Sequence, residues 1–219
     1  MTDSSTATDL VDRARIYATE AHQRINHRRK YNNEPYHVHL SAVAKIVATA
    51  TDAPNVIAAA WLHDTVEDTQ ATLEDIESSF GVPVAELVEE LTDISKPGDG
   101  NRARRKAIDR QHLAQASRRA KTVKLADLID NCKDITRHDP RFAQVYLEEM
   151  DELLDVLSEG APVLAEPFPG TVIQGVSRVF VRGLFSQYMP YFGQHAHHTV
   201  SSLLDCFFCT VKLHQANMR

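Results

Sequence analysis

Apolar positions recur three and four residues apart along most of this chain, and up to residue 160 no segment requires a strand. Leu10, Ala14, Tyr17 and Ala21 predict a first helix over about 8–26. The polar stretch Tyr31-Asn32-Asn33-Glu34-Pro35 reads as a loop with Pro35 suited to the first turn of a second helix, whose buried stripe is Val43, Ile46, Val47 and Ala50. Asp52-Ala53-Pro54-Asn55 breaks that helix. Val56 to Leu62 is then apolar throughout, the pattern of a helix buried on all sides. Thr72 followed three residues later by Asp75 marks a capped helix start, and Gly81 its stop. A helix from Pro83 follows, with Val84, Leu87, Val88 and Leu91 on one face. The turn cluster Lys96-Pro97-Gly98-Asp99-Gly100-Asn101 leads into a basic helix start, and Ser117 to Lys133 is apolar nearly all round. Phe142, Val145, Tyr146, Met150, Leu153, Leu154 and Leu157 line a final amphipathic helix that Gly160-Ala161-Pro162 ends. The expected class is all-α, with one helical domain over 1–160 and a compositionally different extension over 161–219.

The polar block placed on the end of the most buried helix changes the picture. His63-Asp64-Thr65-Val66-Glu67-Asp68-Thr69 directly follows Trp61-Leu62. Buried charge must find a partner or shift its pKa, and a bound cation is an economical partner for several carboxylates at once. Neighbouring His63 and Asp64 point about 100° apart on a continuous helix, so both reach one ion only at a helix end or with help from other segments, and further ligands must come from elsewhere. His39 and Asp127 stand out, each polar within an apolar periodic stretch. Two imidazoles and two carboxylates without thiolate suit an octahedral Mn²⁺- or Fe²⁺-type ion better than a structural zinc. Glu67 and Asp68, four residues beyond His63 and Asp64, are placed to orient or deprotonate a water. His37 falls on a different face from His39 and reads as a surface or loop contact, and Lys124 fits a rim ion pair and a phosphate contact equally well.

At these residues the chain resembles the HD-type hydrolase domain of the Rel/SpoT alarmone enzymes, and most closely their free-standing versions, the small alarmone hydrolases. The resemblance runs over roughly residues 8–158 through Arg29-Lys30, Pro35-Tyr36 with His39, His63-Asp64-Thr65-Val66-Glu67-Asp68-Thr69, Phe80-Gly81, Leu91-Thr92, and Val123-Lys124-Leu125-Ala126-Asp127 with Asn131. It implies an HD-domain helical bundle in which His39, His63, Asp64 and Asp127 hold Mn²⁺ and Glu67 and Asp68 activate the attacking water. It also implies that Asn131 holds the ribose-phosphate region, that Arg29 and Lys30 flank the base, and that Tyr146 lines the pocket. The implied reaction is hydrolysis of the 3′-pyrophosphate of ppGpp or pppGpp to GDP or GTP and pyrophosphate, the chemistry of the stringent response. The family's proline after the first histidine is Leu40 here, and the basic loop is spaced differently. Other readings keep the machinery with ppApp or the 2′-phosphate of NADPH as substrate, or make the chain a non-catalytic alarmone-binding protein.

Composition narrows the setting. The 219 residues are 43% hydrophobic and 25% charged with a net charge of −6, against the basic footprint of a nucleic-acid binder. A polyphosphate must therefore meet a local basic patch, for which Arg102, Arg104, Arg105, Lys106 and Arg110 are the candidates. No apolar run is long enough to span a membrane and Met1 to Asp9 is polar, so a cytoplasmic location is expected. Three cysteines fit a reducing compartment rather than a disulfide framework. The stretch 162–219 has only six charged residues, and its Cys206-x-x-Cys209 with nearby His195, His197, His198 and His214 lacks a second cysteine pair, which favours packing over zinc. The oligomeric state is not legible in these patterns.

Overall fold

Nine α-helices and one 3₁₀ turn account for the regular structure of residues 4–157, the part of the chain that the computed structural model describes. They are α1 (Ser4–Arg24), α2 (His37–Ala48), α3 (Pro54–Leu62), α4 (Thr65–Asp68), α5 (Leu73–Phe80), α6 (Val82–Leu91), α7 (Arg102–Ala114), α8 (Arg118–His138) and α9 (Pro140–Leu157), with the 3₁₀ turn at Pro97–Asp99. The fold is all-α, as the periodicity predicts. Among the described residues the only β-type pairing is an isolated bridge between Arg28 and Pro35. The expected extension over 161–219 lies outside the described residues, and so do Cys206, Cys209 and the histidines near them.

The central element is α3. Its Ala58, Ala59 and Ala60 are fully buried, and such small side chains let α1, α2, α6 and α8 approach its axis closely. Leu40, Val43 and Val47 of α2 and Val123 and Ala126 of α8 complete the wall on one side; Val84, Val88 and Leu91 of α6 complete the other. α9 closes the bundle through Leu147, Met150, Leu154 and Leu157. Each large aliphatic side chain buried in this way contributes roughly 1.5–3 kcal/mol.

Helix ends obey local chemistry with three departures from the sequence expectation. Thr72 and Asp75 form a complete capping box, and Gly81 ends α5 at φ 85°. Ser117 caps α8 by accepting from the Ala120 N–H, but α8 runs on to His138, one turn and more past the apolar stretch. α1 stops at Arg24, earlier than expected, because Asn26 adopts φ 50°. The Asn26 N–H bonds the Gln23 carbonyl at 2.9 Å and the His27 N–H bonds the His22 carbonyl at 2.9 Å, a Schellman closure. Pro35 lies before α2 rather than in its first turn, because its backbone pairs with Arg28.

Candidate active site

Of the two arrangements open to the sequence, the structure has the helix end, with the break between His63 and Asp64. His63 caps α3 in helical conformation, and Asp64 sits at φ −99°, ψ 0° before the single turn α4. That sparsely populated backbone region turns the aspartate side chain back beside its neighbour, so that His63 Nε2 and Asp64 Oδ2 lie 3.0 Å apart. From α2, His39 Nε2 comes within 3.5 Å of the same Asp64 oxygen. From the middle of α8, Asp127 Oδ1 lies 3.3 Å from His39 Nε2 and 3.8 Å from His63 Nε2. The four residues proposed from sequence as one ligand set therefore converge.

Both imidazoles are locked in the tautomer that a cation needs. His63 Nδ1 donates to the Ala60 carbonyl at 2.9 Å, and His39 Nδ1 donates to Asp130 Oδ2 at 2.8 Å. A carbonyl and a carboxylate only accept, so Nδ1 keeps its proton and Nε2 is the nitrogen that exchanges a proton for a cation. Those Nε2 atoms are buried and make no hydrogen bond. The carboxylates are oriented too: Tyr36 donates to Asp64 Oδ2 at 2.6 Å, Asn131 Nδ2 donates to Asp127 Oδ1 at 2.6 Å, and Lys124 lies 3.0 Å from Asp127 Oδ2. Burial alone would raise the two carboxyl groups, but the imidazoles, and Lys124 beside Asp127, hold both well below the usual range. Burial likewise opposes the His63 imidazolium, yet Asp64 and Asp127 prevail and push it up to about 9. A cluster that draws protons in this way is one that a divalent cation would fill instead, and the donor set of two nitrogens and two carboxylates fits such an ion.

Glu67 and Asp68 leave α4 toward different neighbours. Glu67 Oε1 accepts from the Asp93 N–H at 2.6 Å, whereas Asp68 Oδ2 lies 3.8 Å from His27 Nδ1. Both stand at the surface, yet withdrawal from water against the cleft wall, then Asp93 and Asp64, push Glu67 up to about 7. Withdrawal from water and Asp64 push Asp68 up to about 6. The helical spacing holds for Asp64 and Asp68, where the Asp68 N–H reaches the Asp64 carbonyl at 3.0 Å.

A cavity between α6, α7, α8 and α9 opens beside the cluster, with Asp127, Asn131 and Lys124 on one wall and Arg102, Lys106 and Arg110 on another. The basic patch thus lines the cavity, but each of its three members here already has an acidic partner: Arg102 with Glu149, Lys106 with Asp93 and Arg110 with Glu152. Tyr146 lines it as well, and its buried hydroxyl has no hydrogen-bond partner. Arg29 is mostly buried against α8, donating to Asn131 Oδ1 at 2.8 Å and lying 3.1 Å from Asp134 and 3.6 Å from Asp130. Lys30 is exposed, over the rings of Tyr31 and Phe142.

Residues 14–156 match the HD domain family. The chain belongs to that family. Among HD proteins it is 39% identical over 134 residues, 60% of this chain and 72% of the relative, to the guanosine-3′,5′-bis(diphosphate) 3′-pyrophosphohydrolase MESH1 of Xenopus tropicalis. To the human MESH1 it is 36% identical over 138 residues, 62% of this chain and 74% of the relative. A solved structure described as a metazoan ortholog of SpoT that hydrolyses ppGpp superposes with a TM-score of 0.64 at 31% identity, covering 81% of this chain and 94% of the other. The Rel/SpoT type of HD domain inferred from the sequence motifs is therefore the one these relatives share.

Several members of the HD centre escape a reading of sequence alone. Asp130 holds His39, and its only signal was its place one helical turn after Asp127. Tyr36 reads as part of a Pro-Tyr motif, not as the donor to Asp64. Asp109 accepts from the N–H groups of Ile94 and Ser95 at 3.1 and 2.8 Å, which fixes the segment carrying Asp93 against Glu67. No local pattern announces that contact.

Proposed function

We propose that this chain is a metal-dependent pyrophosphohydrolase that converts ppGpp or pppGpp to GDP or GTP and pyrophosphate, with Mn²⁺ held by His39, His63, Asp64 and Asp127. The observation that carries it is the pair of buried imidazole Nε2 atoms facing Asp64 and Asp127, beside a cavity that Lys124, Arg102, Lys106 and Arg110 help to line. When bound, the ion supplies Lewis acidity toward a phosphate oxygen and a water. The relatives named for ppGpp hydrolysis support the substrate class.

The chain's own residues supply the rest. Glu67, raised toward neutrality and anchored by the Asp93 N–H, takes the proton of the attacking water. The water oxygen bonds to the 3′ phosphorus, the bond from phosphorus to the ribose 3′ oxygen breaks, that oxygen takes a proton, and pyrophosphate leaves. Asn131 and the free Tyr146 hydroxyl face the ribose-phosphate region, Arg102, Lys106 and Arg110 exchange their carboxylate partners for phosphate, and Arg29 and Lys30 border the base. A protein that merely bound the nucleotide would have no use for a carboxylate raised to about 7 beside the ion.

The test is product analysis by anion exchange with Mn²⁺ and, in parallel, ppGpp, ppApp and NADPH, with and without chelator. Chelator-sensitive formation of GDP and pyrophosphate from ppGpp, abolished by His63→Ala, is the expected result. Turnover of ppApp or NADPH alone would replace the substrate, and metal-loaded protein that turns over none of the three would sink the enzymatic reading.

A further inference from the structure

A second cluster of potential ligands stands on the far side of Tyr36 from Asp64. His22 lies in the last turn of α1 and is almost fully buried, and the Schellman closure at Asn26 folds His27 back onto it. The two Nδ1 atoms share one hydrogen bond at 2.9 Å, one donating and the other accepting. Asp68 comes from α4, its Oδ2 3.8 Å from His27 Nδ1, and the three donor atoms all lie within 4.8 Å of one another. Three residues from two elements thus converge on one point.

The rings are held there by stacking. Tyr36 lies parallel to His27 with centroids 3.8 Å apart and to His22 at 4.8 Å, both within 20° of coplanar. The same Tyr36 hydroxyl donates to Asp64, so one side chain forms the wall between this cluster and the first.

We infer that His22, His27 and Asp68 form a second divalent-cation site of the zinc type, separate from the His39, His63, Asp64 and Asp127 centre. Bonds of about 2.0–2.2 Å in a tetrahedral site place ligand atoms roughly 3.3–3.6 Å apart, so an ion that replaces the shared proton opens the hydrogen-bonded 2.9 Å pair slightly and draws in the 3.8 Å one. The 3.8 Å separation is too long for a hydrogen bond, so direct bonding between Asp68 and His27 does not account for their approach. Two histidines and one carboxylate with a solvent-facing side match sites that keep a fourth position open for water or a ligand oxygen. Side-chain exposures of 26% for His27 and 36% for Asp68 provide that open side. Burial holds both imidazoles below their usual range, His22 at about 4, so at neutral pH only the single proton shared between the two Nδ1 atoms has to leave for a cation to enter.

The occupant is a borderline divalent ion, and Zn²⁺ and Co²⁺ are the probes. The full chain carrying Cys206→Ser and Cys209→Ser, which leaves the buried Cys132 as its one thiol, is stripped with chelator and titrated with each ion. Bound metal is counted by mass spectrometry, and Co²⁺ is followed by its visible absorption. Two equivalents per chain are expected, with thiolate-free tetrahedral bands for one of them. His27→Gln should reduce the count from two to one, weakening that equivalent by more than the 10–100-fold typical of losing a residue that only orients a ligand. His63→Ala should remove the other equivalent and spare this one. Saturation at one equivalent in the unsubstituted histidine background, or two equivalents that survive His27→Gln, would overturn the site. The Co²⁺ count on that background needs no histidine variant to fold. Hydrolysis is not the readout, so a failure of the proposed reaction leaves this result intact.

Discussion

Glu67 shows how a single side chain can be tuned by its neighbours. Held in the cleft beside Asp93 and Asp64, it loses its proton only near pH 7 instead of in the usual carboxylate range. If it is the general base, only its deprotonated form works, so kcat/KM should rise about tenfold per pH unit on the acid side and level off as Glu67 ionises. Positive charge at the adjoining metal centre favours the carboxylate, so the metal-loaded enzyme should reach its plateau at or below pH 7. Glu67→Gln should flatten that limb and lower the rate by about 10²–10⁴-fold with metal content unchanged, as a pH-rate profile with parallel metal analysis would show. A variant that kept the wild-type acid limb would remove Glu67 from this role.

Short elements and their ends do the positioning. The one-turn α4 exists because Asp64 leaves the helical region, and this places His63 and Asp64 together while sending Glu67 and Asp68 to opposite sides. The Schellman end of α1 sets His27 on His22, and the bridge between Arg28 and Pro35 returns the chain so that Tyr36 covers both rings. The capping box of α5 has no part in this geometry, which makes it a clean probe of stability. Thr72→Ala removes the acceptor for the Asp75 N–H and should cost about 0.5–2 kcal/mol. In a domain of this size that is a drop in Tm of roughly 2–4 °C per kcal/mol, read by thermal denaturation. Turnover should be unchanged below the transition.

Across the whole molecule, the proposed metal centre joins segments distant in sequence: His39 on α2, His63 and Asp64 at the α3 break, and Asp127 on α8. An ion that binds only the folded arrangement must stabilise all of them together, by about 2.7 kcal/mol at a concentration 100 times its Kd. Mn²⁺ should therefore raise Tm by several degrees, chelator should reverse the rise, and Asp127→Asn should diminish it. A Tm indifferent to Mn²⁺ would argue against a site that spans these helices. By itself the sequence determined the all-α class and the polar residues His39, His63, Asp64 and Asp127 set within apolar segments, because apolar periodicity and charge set on an apolar helix are local patterns. The resemblance in the His-Asp-Thr-Val-Glu-Asp block added the chemistry. Only the tertiary structure decided that Asp130 holds His39, that the basic side chains of α7 are already paired with acids, and that His22, His27 and Asp68 meet across Tyr36. Those contacts join residues up to about ninety positions apart, and their partners are chosen by how helices pack and where chain turns return, which no spacing within one segment encodes.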